Sequence, residues 1–427
     1  MEYISKEAAK IIAILEENGY EAYIVGGAVR DSLLDIEPGD YDITTNATLP
    51  QIREIFKDYK LKEYKSKGLT IGIVFNSFYV EVSTFKGFTI LEDLSLRDFT
   101  INAIAYNEKT GYIDPFNGIL DIKRKIIRAV NEDICIINDP IRILRAIRFS
   151  ATKDFKIDPK LKASMIENKD LLLNSKYERF HHEINPILLH DKPSTYIREY
   201  KEIFFKIFDG LELCDGFDQH NPYHHLDVFE HTLLVLDCTK PVLSLRLAAL
   251  LHDIGKPKTF TIDYKGIGHF FLHPKQSMEM AKNILEKLMY KHDMIKIICN
   301  VIYYHDYNLI NKEDSLLKFL YKFGLNNLDI YFGLRRADVL GQNPKYMDRI
   351  YILDEIAENI RRIINENKII TLANLAVKGD DLIAIGYEGH KISLCLEYLL
   401  DSVKNKRIKN NKDKLIDLAI RIRNEIE

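Results

Sequence analysis

Asp40-Tyr41-Asp42 follows closely on Gly26-Gly27-Ala28-Val29-Arg30-Asp31 and stands well upstream of Arg97-Asp98-Phe99-Thr100-Ile101-Asn102. Carboxylates at i and i+2 of a strand point to one face. Hard divalent cations such as Mg²⁺ take oxygen ligands and keep positions open for substrate phosphates. A third acid, Glu81, lies in Phe78-Tyr79-Val80-Glu81-Val82-Ser83-Thr84, which reads as another strand. Adjacent glycines let a backbone approach a phosphate closely, and Arg30 can fork onto phosphate oxygens.

Each fragment alone has an ordinary reading. Asp-x-Asp is common in surface turns, and Gly-Gly is weaker still. The ordered set is far more specific: Gly-Gly-x-Val-Arg-Asp, Asp-x-Asp-Ile-Thr-Thr, Glu-Val-Ser-Thr-Phe, then Arg-Asp-Phe-Thr-Ile-Asn-Ala. Together they point to metal-assisted nucleotidyl transfer.

With 427 residues and 46% hydrophobic content the chain can fill more than one core, and roughly three domains is the prior from length. A net charge of −3 says little about partners, because nucleic-acid binding needs only a local basic face. Cys135, Cys214, Cys238, Cys299 and Cys395 are scattered, with no Cys-x-x-Cys pair. That argues against a disulfide framework or a thiolate zinc site and fits a reducing cytosol. The segment Met1 to Glu7 has no apolar signal-peptide core, and no apolar run is long enough to span a bilayer. A cytoplasmic location without a membrane partner is therefore expected.

Ser5 is expected to cap a helix through Ala8, Ile11, Ile12 and Leu15, stopped at Asn18-Gly19. Strands are expected at about 22–25, 40–44, 71–75 and 78–84, with a hairpin at Asn76-Ser77. Pro50 opens a short helix through Ile52, Ile55 and Phe56. From about 126 the pattern is helical for the rest of the chain, interrupted at Asn221-Pro222, Gly266 to Gly268 and Asn343-Pro344. The basic run Lys404 to Lys414 reads as a solvated helix face or frayed loop rather than an RNA contact.

The motif order resembles the class II tRNA nucleotidyltransferases (CCA-adding enzymes), which share a polymerase-beta-type head with bacterial poly(A) polymerases. The match continues through Ile113-Asp114-Pro115-Phe116-Asn117-Gly118 and Asp139-Pro140-Ile141-Arg142-Ile143-Leu144-Arg145-Ala146-Ile147-Arg148-Phe149, and more weakly through Ser175-Lys176-Tyr177-Glu178-Arg179. The resemblance implies an α+β protein. A nucleotidyltransferase head, a small mixed sheet with helices, would occupy 1–125, and an all-α neck and body 126–210. A helical HD domain would follow at 211–342 and a helical C-terminal region at 343–427. It implies Mg²⁺ held by Asp40 and Asp42, with Glu81 as the third acid positioning the attacking hydroxyl. Gly26, Gly27, Arg30, Arg97, Asp98, Asp139, Arg142, Arg145 and Arg148 would bind nucleotide, Asp98 at the ribose hydroxyl. The implied partners are tRNA, CTP and ATP. Two positions depart from the family pattern: Leu96 replaces a frequent second arginine, and Asn138 replaces the usual Glu.

On a helix Asp139, Arg142, Arg145 and Arg148 share a face. A salt-bridged surface helix is the ordinary reading, but an Asp–Arg pair can also read a base. A carboxylate accepts from an exocyclic amine while a guanidinium donates to a ring acceptor. Cytosine and adenine both present that pattern, whereas uracil and guanine do not. In the resembled family the residues matching Asp139 and Arg142 select C and A in this way.

A second constellation begins at Leu250-Leu251-His252-Asp253-Ile254-Gly255-Lys256, after the apolar run Leu243, Leu247, Leu250. With His231, His273, His305 and Asp338 it resembles an HD domain, in which imidazoles and a bridging aspartate bind one or two metals for phosphoester hydrolysis. Neutral imidazole with carboxylate suits Mn, Fe, Co, Ni or Zn. His269 competes with His273, which has the preferred spacing. His224 and His225 read as loop residues ahead of the helix carrying His231.

Two rival readings are a poly(A) polymerase acting on general RNA and a catalytically dead RNA-binding homologue. Between Thr84-Phe85 and Asp93-Leu94 lie only Lys86 to Glu92, seven residues. Full CCA-adding family members carry a longer flexible loop there, and members with it shortened add only the two cytidines. CC addition is thus favoured over full CCA addition.

Overall fold

The computed structural model describes residues 4–63, 70–75, 78–132, 134–366 and 369–423. The hairpin turn expected at Asn76-Ser77 lies outside the described residues. The chain divides into two compact units. One comprises Met1–Phe217, Pro241–Leu247 and Met280–Ile295; the other comprises Asp218–Lys240, Ala248–Glu279 and Lys296–Glu427.

The first unit is built on a mixed sheet of β1 (Ala22–Val25), β2 (Tyr41–Thr45), β3 (Lys60–Glu63), β4 (Thr70–Phe75), β5 (Phe78–Thr84), β6 (Ala105–Asn107) and β7 (Gly111–Ile113). Their order across the sheet is β3-β4-β5-β2-β1-β6-β7. The β2–β5 pair is parallel, and its neighbours pair antiparallel. Three of these strands had no sequence expectation. β6 and β7 are short, and β3 (Lys60-Leu61-Lys62-Glu63) is an edge strand whose lysines hide the alternation while discouraging further pairing.

The first helix, Lys6–Glu17, starts where Ser5 Oγ accepts from the Ala8 N–H at 3.0 Å, and it buries Ala8, Ile11, Ile12 and Leu15. Gly19 at φ +86° takes the left-handed turn after it. Pro50 sits in the first turn of Leu49–Ile55. Tyr23, Val25, Phe85, Ile90, Leu94, Ala103 and Ala105 form a core cluster on one side of the sheet.

Beyond residue 126 helices dominate, with two exceptions to the all-helical expectation. Ile126–Ile127 pairs parallel with Lys156–Ile157. Phe260–Ile262 and Gly268–Phe270 form an antiparallel hairpin, so the glycines expected to interrupt a helix instead turn a ribbon.

In the second unit Tyr331 is fully buried between Phe319 and Phe323, with ring centroids 5.0 and 4.9 Å away. A separate cluster around Leu382, Tyr387, Leu399 and Leu415 closes the C-terminal helices, where the Tyr387 hydroxyl donates to Ala419 O at 2.7 Å. The basic run Lys404 to Lys414 is the turn between His390–Lys404 and Lys412–Ile422; Lys406 pairs with Asp314 and Lys412 with Asp381. Among the described residues no helix is long and apolar enough to cross a membrane.

Candidate active site and candidate metal centre

β1 ends at Val25, and Gly26 adopts φ +72° to turn the chain into the helix Gly27–Leu33. A Cβ on Gly26 would lie 3.3 Å from Arg97 Nη1 and 3.8 Å from Asp42 Oδ2. The bare backbone thus brings the helix entrance against one cation and one acid. The parallel register of β2 and β5 sets Asp42 directly opposite Glu81 on neighbouring strands. Tyr41 is buried, whereas Asp40 and Asp42 are exposed. Asp40 precedes the first paired residue, whereas Asp42 is the second residue of the strand. The donors are carboxylate oxygens open to water, a chemistry that fits a hard cation retaining part of its hydration shell.

Glu81 accepts a hydrogen bond from the Tyr79 hydroxyl at 3.2 Å, one pleat away on the same strand. The phenol ring lies across β4 at Gly72, where a Cβ would come 2.1 Å from a ring carbon. Neither Tyr79 nor Gly72 carried a sequence signal, because the contact depends on cross-strand register.

The arginines are committed within the protein more than the sequence suggested. Arg30 is 6% exposed. It donates to both Asp31 oxygens at 3.0 Å and to Asn102 Oδ1 at 2.6 Å, and it stacks 4.8 Å from the Phe149 ring centre. Any phosphate reached by Arg30 would therefore share its guanidinium with Asp31 and Asn102. Arg97 donates twice to Asp93 Oδ2, at 3.1 and 2.9 Å.

Asp98 accepts from Asn102 Nδ2 and the Phe99 N–H. Arg145 Nε lies 2.9 Å from Asp98 Oδ2, at an angle that makes the contact an ion pair rather than a hydrogen bond. Burial opposes the charge of Asp98, but Arg145 and these donors hold its carboxyl below the usual carboxylate range. Arg148 pairs with Glu183 at 2.6 Å, and Arg145 and Arg148 join Arg30 around Phe149.

Asp139 is not on the helix that carries these arginines. That helix runs Arg142–Lys153, and Asp139 is extended at φ −154°, ψ 93°. Pro140 explains the correction, since a residue before proline is pushed out of the helical region. Asp139 accepts a two-pronged bond from Arg179, at 2.8 and 2.7 Å. Arg142 donates to the carbonyls of Cys135 and Leu96, each at 3.2 Å. Lys86, in the seven-residue stretch, was not expected near these groups. Desolvation and the charges of Arg97 and Arg142 push its ammonium pKa down.

In the second unit Asp253, 1% exposed, stands at the centre of an imidazole cluster. Its Oδ2 lies 3.1 Å from His252 Nε2 and 3.5 Å from His231 Nε2; its Oδ1 lies 3.4 Å from His273 Nε2 and 3.6 Å from His305 Nε2. Asp338 Oδ1 is 3.1 Å from His231 Nε2. Each of these four rings directs Nδ1 at a main-chain carbonyl, His231 at Gly341, His252 at Ala249, His273 at Phe270 and His305 at Ile302, at 2.7 to 3.1 Å. A ring donating from Nδ1 presents its lone pair on Nε2, the arrangement of metal-ligating histidines.

No hydrogen bond reaches the buried Nε2 of His231 or His252 or the Oδ1 of Asp253, while Asp253 Oδ2 has the Lys256 ammonium as an ion-pair partner. Such orphaned polar atoms are costly unless something occupies the space between them, and this donor set fits one or two transition-metal ions. Burial opposes the charge of Asp253, but His252 and Lys256 hold its carboxyl well below the usual range. Lys256 Nζ, 4% exposed, is 2.7 Å from Asp253 Oδ2 and donates to Gln219 at 2.8 Å.

His273 belongs to this cluster, whereas His269 pairs with Asp263 in the hairpin. His225 is exposed. His224 lies, as expected, in the loop ahead of the helix Val228–Cys238, and its ring packs edge-on against His231. Among the described residues, the sets of three donors within 4.8 Å of one another all lie in this unit.

Comparison with known proteins agrees with this layout. Residues 22–128 match the poly A polymerase head domain, 154–203 the probable RNA and SrmB-binding site of polymerase A, and 224–374 the HD domain. The CC-adding tRNA nucleotidyltransferase of Shouchella clausii is 37% identical over 182 residues, 43% of this chain and 48% of that protein. The CCA-adding enzyme of Geobacillus stearothermophilus is 38% identical over 200 residues, 43% of this chain and 49% of its own. The chain thus spans about half the length of the curated relatives it matches. The crystal structure of the Bacillus stearothermophilus CCA-adding enzyme in complex with CTP superposes with a TM-score of 0.67 at 25% identity, covering 98% of this chain and 97% of that one. The chain therefore carries a poly A polymerase head domain, the adjoining polymerase A segment and an HD domain, in the fold of a CCA-adding enzyme.

Proposed function

We propose that the chain is a cytoplasmic tRNA nucleotidyltransferase that adds C and A to the tRNA 3′ end from CTP and ATP without a nucleic-acid template. The observation that supports it most is the parallel β2–β5 register, which sets Asp42 against Glu81 beside the bare backbone of Gly26 and the guanidinium of Arg97. In this reading Asp40 and Asp42 hold Mg²⁺. When bound, the metal promotes ionisation of the primer hydroxyl and offsets charge on the departing pyrophosphate. Glu81, oriented by Tyr79, accepts from the attacking 3′-hydroxyl. The helix N-terminus at Gly26-Gly27 and Arg97 receive the triphosphate.

Asp139 and Arg142 read the base. Each carboxylate oxygen has a second lone pair beyond the one used by Arg179, so Asp139 can accept an exocyclic amine while Arg179 fixes its plane. The neck and body at 126–210 carry this reader next to the head at 1–125. The HD domain at 211–342, ahead of the C-terminal region at 343–427, holds a transition metal and hydrolyses a phosphoester.

One observation favours CC addition over full CCA addition. The stretch Lys86 to Glu92 is closed by its own hydrogen bonds: Lys86 N–H to Asp93 Oδ1 at 3.0 Å, Phe88 N–H to Glu92 Oε2, and Glu92 N–H to Thr89 Oγ1 at 3.2 Å. A conformational switch between bases needs an element with two accessible positions, and this tight turn offers little travel.

The test is incubation with tRNA ending at the discriminator base and CTP, ATP or both. A ladder that stops after two cytidines is expected. A complete CCA end refutes the CC restriction alone, and a long adenosine tail on unrelated RNA refutes the tRNA assignment.

A further inference from the structure

Around Asp253 and Asp338, five imidazoles share one orientation. His231, His252, His273 and His305 each point Nδ1 at a main-chain carbonyl. His224 points its Nδ1 at the side-chain oxygen of Asn221, 2.9 Å away. An amide oxygen only accepts, so the His224 proton sits on Nδ1 and the lone pair on Nε2. The rings of His224 and His231 meet edge-on, 4.9 Å between centroids at 89°. One donor atom each from His224, His231 and Asp338 lie within 4.8 Å of one another. Donors about 2.1 Å from a common ion are separated by at most about 4.2 Å, so a small contraction turns this triplet into a coordination shell.

The loop carrying His224 is also held in place. The Asn343 N–H donates to Tyr223 O at 2.8 Å, Asn343 Nδ2 donates to Pro222 O at 3.4 Å, and the rings of Tyr223 and Tyr346 lie 4.9 Å apart. Asn343 directly follows the helix Leu328–Gly341 and its C-cap Gln342, and that helix bears Asp338. The segment presenting His224 is therefore tied to the end of the helix presenting its carboxylate partner.

We propose that His224 is a metal ligand. It joins His231, His252, Asp253 Oδ2 and Asp338 around the ion on that side of the Asp253 bridge. The proposal rests on the reading of the HD cluster as a metal centre and sharpens it. Three imidazoles and two carboxylates leave a single position open on a six-coordinate ion. That coordination suits Mn²⁺, Fe²⁺, Co²⁺ or Ni²⁺ and disfavours the four-coordinate preference of a structural zinc. Among the described residues the other side of the bridge offers His273, His305 and Asp253 Oδ1, so its ion keeps more positions for a substrate oxygen.

The experiment uses the full chain, stripped with chelator and titrated with Co²⁺, reading bound metal by mass spectrometry and coordination by visible absorption. Wild type is expected to take two ions per chain with the weak absorption of five- or six-coordinate cobalt. His224→Gln should lose at least tenfold in affinity for one ion, the same ion lost in His231→Ala, and keep the ion lost in His273→Ala. A thermal melt of each metal-free variant reports folding separately. His224→Gln binding both ions with wild-type affinity and spectrum overturns the ligand assignment while leaving the metal centre standing. If wild type itself takes up no cobalt, the metal-centre reading fails and the assignment falls with it.

Discussion

The two acidic sites hold their candidate metal ligands in opposite ways. In the head, Asp40 and Asp42 are exposed and Glu81 half-buried, their relation set by the register of two parallel strands. In the HD cluster, four rings and Asp253 are at most 6% exposed and already turned inward by hydrogen bonds to the main chain. An open carboxylate site suits a cation that arrives hydrated with its nucleotide. A dry cage of imidazoles suits a resident ion, because emptying it leaves orphaned buried ligand atoms. Brief chelation followed by Mg²⁺ should therefore restore nucleotide addition fully while a metal bound in the HD cluster returns only with added transition metal. Metal analysis beside a primer-extension assay checks this.

Asp42→Ala should give the largest effect. It removes an exposed carboxylate, so addition should fall by about a thousandfold or more while the chain stays folded, as a thermal melt would show. Near-normal extension would remove the head site from the comparison.

Asp253→Ala should act in the reverse manner, on stability first. It leaves Lys256 buried without its carboxylate, a change that costs about 3 kcal/mol or more. A denaturant titration measures it, and an unchanged midpoint would mean that the cage is not electrostatically closed.

Asp98 sharpens the contrast inside the head. Its folded pKa is depressed, despite burial, by Arg145 and two hydrogen bonds. The stabilisation is thus present above the unfolded value near 3.9 and is lost as pH falls through the lower folded value. Asp98→Asn should cost about 1–2 kcal/mol at neutral pH, discounted because Arg145 is partly solvated. It should also flatten the acid limb of the stability curve, followed as unfolding midpoint against pH.

The smallest effect expected is that of Gly72→Ala. Its Cβ would displace the Tyr79 ring, and losing one orienting hydrogen bond to Glu81 should slow addition about tenfold. Tyr79→Phe should reproduce the loss without the steric change. A normal kcat in both would leave Glu81 positioned by other contacts.

Whatever is written in local spacing could be read from the residues alone. The cap at Ser5, the four head motifs in order, and the His252-Asp253 pair at the end of an apolar helix are all short-range patterns, and the chain folds them as periodicity dictates. Even the extended backbone at Asp139 was legible in Pro140, although helical spacing drew attention away from it. Which groups meet across long stretches of chain emerges in the folded protein. Asp139 takes Arg179 forty residues on, Tyr79 reaches Glu81 over Gly72, and His224 packs edge-on against His231 while its Nδ1 meets Asn221. The physical reason is that a side chain's direction on its own element follows from backbone periodicity, whereas its partner depends on strand register and helix packing that no local spacing encodes.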